Sequence, residues 1–201
     1  MTIQAPKTRR TGTVERILTA AADLFYERGL RGVGVDQVIA SSGVAKSTFY
    51  VHFRTKDELI AAYLTRTDES WRAQLREAAE RAGDDPTAQV GGLFDALSEA
   101  FDRHGFFGCP FVNAGVETEL DSQARAITVE HTRRRGEWLA GLARAAHAAD
   151  ADAVGRQLGL LIDGALAEGR LLQDRGVVDD ARNAALALVG AGSTTTRQDA
   201  R

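Results

Sequence analysis

Cysteine is almost missing from this 201-residue chain: Cys109 stands alone, which excludes an intramolecular disulfide and suits a reducing cytoplasm. Long apolar runs are missing too. The most hydrophobic stretch near the C-terminus, LGLLIDGALA, is interrupted by Asp163 and is too short to span a bilayer, so no membrane partner is expected. The opening MTIQAPKTRRTGT is polar and basic and lacks the apolar core of a secretory signal. No segment keeps the alternation of a strand, and nothing repeats at a solenoid period. The four histidines (His52, His104, His131 and His147) keep no metal-ligand spacing with one another or with Cys109, so no metal or other cofactor is expected. GVG at 32–34 lacks the third glycine and the preceding strand of a dinucleotide loop. No Ser/His/Asp arrangement can be inferred, and an enzyme is not expected. RRR at 133–135 spans about 200° of a helix, too wide for a single anion site, and reads as a solvated face.

What the chain does have is helical periodicity and an uneven charge. Residues 1–56 hold nine basic and four acidic residues, a surplus of +5, while the remainder carries −8. A basic front on an acidic body is what one expects if only the front meets a polyanion. From Thr13, an expected N-cap, Ile17, Ala21 and Leu24 recur at helical spacing, and Gly29 is placed to end the helix. A short helix at 35–42 turns Val35, Val38 and Ile39 inward and stops at Gly43; another covers 45–53. Thr55 and Glu58 form a capping box for a long helix from Lys56 to about Arg81. Five more are expected at 86–103, 110–119, 121–148, 150–174 and 177–191, with Asp121 capping the third of them. The fold class is therefore all-α: a small N-terminal helical bundle joined by a continuous helix to a larger one.

Two short helices around a glycine turn, after a longer one, describe a helix-turn-helix unit. In the third helix, steps of about 100° put Ala45, Phe49 and Phe53 on one face, to pack on Phe25 and Val38. Ser47, Thr48, Tyr50 and Val51 lie around the other side, with Lys46 and His52 at its flanks. Small hydroxyls fit base edges in a major groove, and Tyr and Lys reach phosphates; an ordinary amphipathic helix of a bundle shares the pattern. Residues 17–64 resemble the DNA-binding domain of the TetR family of bacterial transcription regulators. The resemblance is carried by A..LF...G in the first helix, V..G across the turn, and GV.K.T.Y.HF..K..L from Gly43 to Leu59.

The resemblance implies that Lys46, Ser47, Thr48, Tyr50 and His52 face DNA, with Lys56 on a phosphate. It implies a double-stranded palindromic operator, a homodimer and a small-molecule inducer. Two positions depart from the family pattern. Ala45 stands where Ser or Thr would cap the recognition helix, at a cost on the order of 1 kcal/mol, and Gly34 offers only its backbone N–H. The expected division is a flexible basic arm at 1–12, a helix-turn-helix domain at 13–57, a ligand-binding and dimerisation domain at 58–192, and a disordered tail at 193–201.

In the second domain, Val154, Leu158, Leu161, Ile162 and Ala165 form a stripe, and Ala184, Ala185 and Leu188 a second; the resemblance implies that these helices pair across a two-fold axis. Gly155 and Gly159 would let another helix approach closely. The aromatics of a ligand cavity are sought among Trp71, Phe94, Phe101, Phe106, Phe107, Phe111 and Trp138. Pro110 suits the first turn of a helix, placing Cys109 at its N-cap, where a thiol feels free N–H groups. Asn113 and Glu117, one turn apart, could present polar groups to the cavity. Cys109 reads either as a small buried apolar residue or as a thiol sensor of electrophiles and oxidants. The leading function is a ligand-released DNA-binding repressor. Alternatives are a DNA-binding architectural or partner-recruiting protein without a ligand, and an all-α enzyme in which the N-terminal bundle is incidental.

Overall fold

The computed structural model describes residues 7–104 and 106–190. The tail at 193–201 and the first six residues of the expected arm lie outside them. The described residues form helices without strands, and no helix among them is long and apolar enough to cross a membrane.

The chain divides into two compact units. The first contains residues up to Thr67 together with Asn113–Thr128; the second contains Asp68–Val112 and the chain from Val129 onward. In the first unit, α1 (Lys7–Gly32) begins ahead of the expected cap at Thr13, because nothing in KTRRTG forbids a helical backbone. It breaks at Gly29, with φ 78°, as the sequence anticipated. α2 (Val35–Ser42) packs on α1, and α3 (Lys46–His52) on α2. Ile17, Ala21, Phe25, Val38 and Phe49 close the core between them. α4 (Lys56–Arg81) opens with Thr55 Oγ1 accepting the Glu58 N–H at 3.1 Å. The Glu58 carboxylate returns to the N–H of Arg54 at 2.7 Å, one residue before the cap that a capping box would use. Farther along α4, Arg66 holds Glu15 at 2.5 Å and Thr19 at 3.1 Å on α1.

Residues 113–128 join this unit through polar clasps. Glu117, the last residue of α6 (Pro110–Glu117), accepts the Arg31 N–H at 2.7 Å, and the Glu117 carbonyl accepts Arg31 Nε at 2.9 Å. α7 (Gln123–Ala145) is capped by Ser122, whose Oγ accepts the Arg125 N–H at 3.1 Å. The cap expected at Asp121 thus moves one residue on, because the helix itself starts later.

The second unit is built from the rest of α4, α5 (Pro86–His104), most of α7, α8 (Ala151–Leu172) and α9 (Gly176–Gly190). α9 packs on both α5 and α8. Leu93, Phe94, Leu97, Leu139, Leu158 and Ile162 are fully buried in this core. α8 meets α7 at Gly155, where an added Cβ would lie 2.6 Å from the backbone nitrogen of Ala140. The small residue there serves a contact within the chain.

Candidate nucleic-acid interface and ligand cavity

The surface of α3 is set by what lies beneath it. Phe49 is the one buried residue of Lys46–His52, and Phe53 is buried just after it; their rings sit 5.8 Å apart. Seating those two rings pushes Lys46, Ser47 and Tyr50 into solvent, with Thr48 and His52 half-buried at the edges. The turn leading in is fixed twice. Gly43 adopts φ 62°, ψ 24°, which suits a residue without a Cβ, and Arg16 of α1 donates to the carbonyls of Ser42 (2.7 Å) and Gly43 (3.1 Å). A guanidinium at the end of α2 also matches the negative pole of that helix.

Three details of this face were open in the sequence. Ala45 is exposed instead of packing with Phe49 and Phe53; it is the N-cap of α3, with an extended backbone (φ −61°, ψ 141°) and no side-chain hydrogen bond. At Gly34 the backbone N–H donates to Gln37 Oε1 at 2.7 Å, so the one polar group expected to reach a phosphate there is engaged within the chain. Lys46 Nζ lies 2.9 Å from Asp36 Oδ1, and that carboxylate holds its ammonium above the ordinary lysine range. Lys56 is half-buried at the first turn of α4.

The second unit contains a cavity of about 370 Å³ between α4 and α7. Trp71, Leu75 and Trp138 supply apolar wall; Arg72, Arg76, Arg134 and Arg135 bring guanidiniums, joined by His131 and Glu137. Arg135 is buried and grips Asp163 with both Nη atoms, at 2.7 and 2.5 Å. Burial pulls its pKa down, and the Asp163 carboxylate more than offsets this, leaving the guanidinium above its usual value. His131 Nδ1 lies 2.7 Å from Asp68 Oδ1, and the ring stacks on Phe111 with centroids 3.6 Å apart. A carboxylate only accepts, so Nδ1 carries the proton and Nε2 its lone pair; burial pushes the imidazole pKa down, keeping the ring neutral. Arg133, by contrast, pairs outward with Glu130 and Glu137. The triple arginine therefore splits: one member is solvated as expected, and two line a cavity.

Of the nine residues expected at a ligand site, only Trp71 and Trp138 line this cavity. Phe94 is core, and Phe101, half-buried, lies tilted against buried Phe106 with ring centroids 4.6 Å apart. Phe107 and Asn113 are half-buried elsewhere, and Phe111 backs His131 from outside the lining. Glu117 is engaged by Arg31. Cys109 does precede α6 and faces the N–H groups of Phe111 and Val112, which favour thiolate, but burial outweighs them and pushes the thiol pKa up. The missed residues carried a signal at helical spacing. His131, Arg134, Arg135 and Trp138 fall at i, i+3, i+4 and i+7, as do Asp68, Trp71, Arg72 and Leu75. Among the expected interface residues, Leu158, Ile162, Ala165 and Ala185 are buried within the chain. Val154, Leu161 and Leu188 are half-buried, and Ala184 is exposed.

Comparison with known proteins shows what the chain is similar to. Residues 17–63 match the family model described as bacterial regulatory proteins, tetR family. The HTH-type transcriptional activator FasR of Mycolicibacterium smegmatis is 31% identical over 104 residues, 50% of this chain and 45% of FasR. The HTH-type transcriptional repressor KstR2 of Mycobacterium tuberculosis is 31% identical over 88 residues, 44% of each chain. The chain spans about half the length of the curated relatives it matches. Among solved structures, SCO4454, a TetR-family transcriptional regulator from Streptomyces coelicolor, superimposes with a TM-score of 0.84 at 29% identity, covering 91% of this chain and 97% of that one.

Proposed function

We propose that this chain, a member of the TetR family of bacterial regulatory proteins, is a homodimeric, cytoplasmic DNA-binding repressor, released from a palindromic operator by a small molecule held in the α4–α7 cavity. The observation that carries this reading is the division of α3. Phe49 anchors the helix from below while Lys46, Ser47, Thr48, Tyr50 and His52 are left to meet a groove, with Lys56 beside them on a phosphate. Ser47 and Thr48 suit base edges; the lysines, Tyr50 and His52 suit the backbone.

A dimer follows from the need to present two recognition helices to two half-sites. Leu160, Gly164, Ala167 and Leu171 recur on one exposed face of α8, at the spacing of a helix–helix seam, beside partly exposed Leu161 and Leu188. The cavity favours a ligand-responsive regulator over an architectural protein. Buried Cys109, its thiol held protonated by burial, disfavours the thiol-sensor alternative. For release, the ligand must bind the DNA-incompetent form more tightly, and DNA must weaken the ligand by the same factor.

Fluorescence anisotropy with DNA flanking the protein's own gene tests the proposal. Expected are tight binding to one inverted repeat, a steep fall with added salt, and loss of binding in Lys46→Ala and Tyr50→Ala. Light scattering should give twice the chain mass. Binding without sequence preference, or insensitive to salt, would overturn the regulator reading, and transcription that rises with bound protein would make it an activator.

A further inference from the structure

One acidic side chain stands on the face proposed for DNA. Between residues 28 and 56 the chain carries five basic residues and a single acidic one, Asp36. A carboxylate there opposes the phosphates and weakens the pull of the basic front. Its place in the first turn of α2 suits the helix dipole, yet that serves any orientation of the side chain. Asp36 reaches across to α3, where its Oδ1 accepts from Lys46 Nζ at 2.9 Å. Both side chains stay open, Lys46 at 63% and Asp36 at 79% exposure. An ion pair so exposed adds little to stability, so stability does not account for it.

The backbone holds the two residues in place. Gln37 Oε1 accepts the Gly34 N–H across the first turn of α2, and Arg16 ties the carbonyls of Ser42 and Gly43 between the helices. In a helix-turn-helix, the residues that begin the second helix reach base edges while the first helix crosses the backbone. Lys46 begins α3, and Asp36 lies one hydrogen bond from it. Two of the three ammonium N–H groups remain for DNA, and the carboxylate keeps lone pairs for a further donor. A G·C pair offers the matching set: guanine O6 and N7 are two acceptors, and cytosine N4–H is a donor beside them. Guanine O6 and cytosine N4 are themselves hydrogen-bonded, about 2.9 Å apart, which matches the spacing of the ion pair. Of the other three pairs in that register, A·T and C·G turn an acceptor toward the carboxylate. T·A gives the ammonium one acceptor beside a methyl group.

We infer that Asp36 and Lys46 together read one G·C base pair in each operator half-site, Lys46 donating to guanine O6 and N7 and Asp36 accepting from cytosine N4. This rests on the proposed function for the docking of α3, and it moves Lys46 from a phosphate to a base edge. Asp36 acts on both sides of the choice. It aims a flexible lysine, and it repels the acceptors that A·T and C·G set before it.

Selection of the wild-type protein on a random-sequence duplex library tests it, followed by anisotropy on every base-pair replacement in the selected duplex at one salt concentration. One position in each half-site should prefer G·C about tenfold or more over the other pairs. Asp36→Asn removes a negative charge and tightens every duplex, but it also gains a donor that meets acceptors. Its preference at that position over A·T and C·G should therefore fall about tenfold, with the preference over T·A kept. Lys46→Ala should lose the preference over T·A at the same position. Lys56→Ala, on a phosphate, should weaken all duplexes alike. If Asp36 serves only the first turn of α2, its variant lowers the melting temperature and leaves every preference in place, which overturns the assignment. So do variants that relax different positions, a shared position that prefers another pair, or affinity changed evenly across duplexes. A library that yields no preferred sequence overturns the regulator reading and this one with it; a preferred sequence that both variants keep overturns this one alone.

Discussion

Replacing Ala45 by Ser should stabilise the recognition helix without touching the core. Ala45 is exposed, its backbone is already extended as an N-cap requires, and its carbonyl accepts the Phe49 N–H at 2.9 Å. Only the side-chain acceptor is missing. A serine hydroxyl there can take the N–H of Thr48, a bond worth about 1 kcal/mol, in a range of 0.5–2. For a helix of seven residues that is a large share of its local stability. One kcal/mol corresponds to about a fivefold smaller population of the open form. Amide hydrogen exchange at Ser47–Tyr50 should therefore slow about fivefold if α3 opens locally. The melting temperature should rise by roughly 2–4 °C if α3 unfolds with the whole. Ala45→Asp separates stability from function: it caps equally well and adds a favourable charge at the helix N-terminus, but it places a carboxylate on the DNA face. Exchange should slow as with Ser while operator affinity falls several-fold, most at low salt. Unchanged exchange and melting in both variants would refute the cap argument, and equal operator affinity in the Asp variant would refute the placement of α3 on DNA.

Asp36→Asn should tighten operator binding about two- to fivefold at low ionic strength, an effect that fades as salt screens it, because it frees Lys46 from its exposed ion pair; anisotropy reads it directly. Gly155→Ala should destabilise the second unit by on the order of 1–3 kcal/mol, since the new Cβ meets Ala140 backbone at 2.6 Å. Gly136→Ala, with nothing within 4 Å of the new methyl, should instead gain about 0.4–1 kcal/mol in urea denaturation. His131 makes stability fall in acid. Its folded pKa lies below the ordinary 6.5, so the unfolded chain binds the proton first. Stability is then full above about pH 6.5 and is lost as pH falls from there through the lowered value. The urea midpoint should decline over that interval, and less so in His131→Gln.

The helices were legible from periodicity and punctuation, because both act over a few residues. Gly29 and Gly43 interrupt helices whatever surrounds them, Thr55 caps α4 from its own turn, and Pro110 opens α6. The outward set on α3 was legible for the same reason: two phenylalanines one turn apart can be buried together only by exposing Lys46, Ser47 and Tyr50. Local pattern was a poorer guide where a cap depends on exactly where a helix begins. The start of α1 at Lys7 and the shift from Asp121 to Ser122 are of that kind.

By itself, then, the sequence determined the all-α class, the helix-turn-helix and the identity of its exposed face, since each rests on contacts within a few turns of chain. Tertiary structure alone decided which far-separated side chains share a space. Aromatic type pointed to Phe94 and Phe101 as ligand contacts, but packing spends Phe94 on the core and sets Phe101 against buried Phe106. Three adjacent arginines fan around a helix too widely to act together; packing buries Arg135, places exposed Arg134 on the cavity lining, and leaves Arg133 outside it. Asp68 and His131, distant in the chain, become a 2.7 Å pair whose outer nitrogen lacks a partner. Periodicity assigns a residue to a face of its own helix, but only the neighbouring helix decides whether that face closes into core or opens onto a cavity.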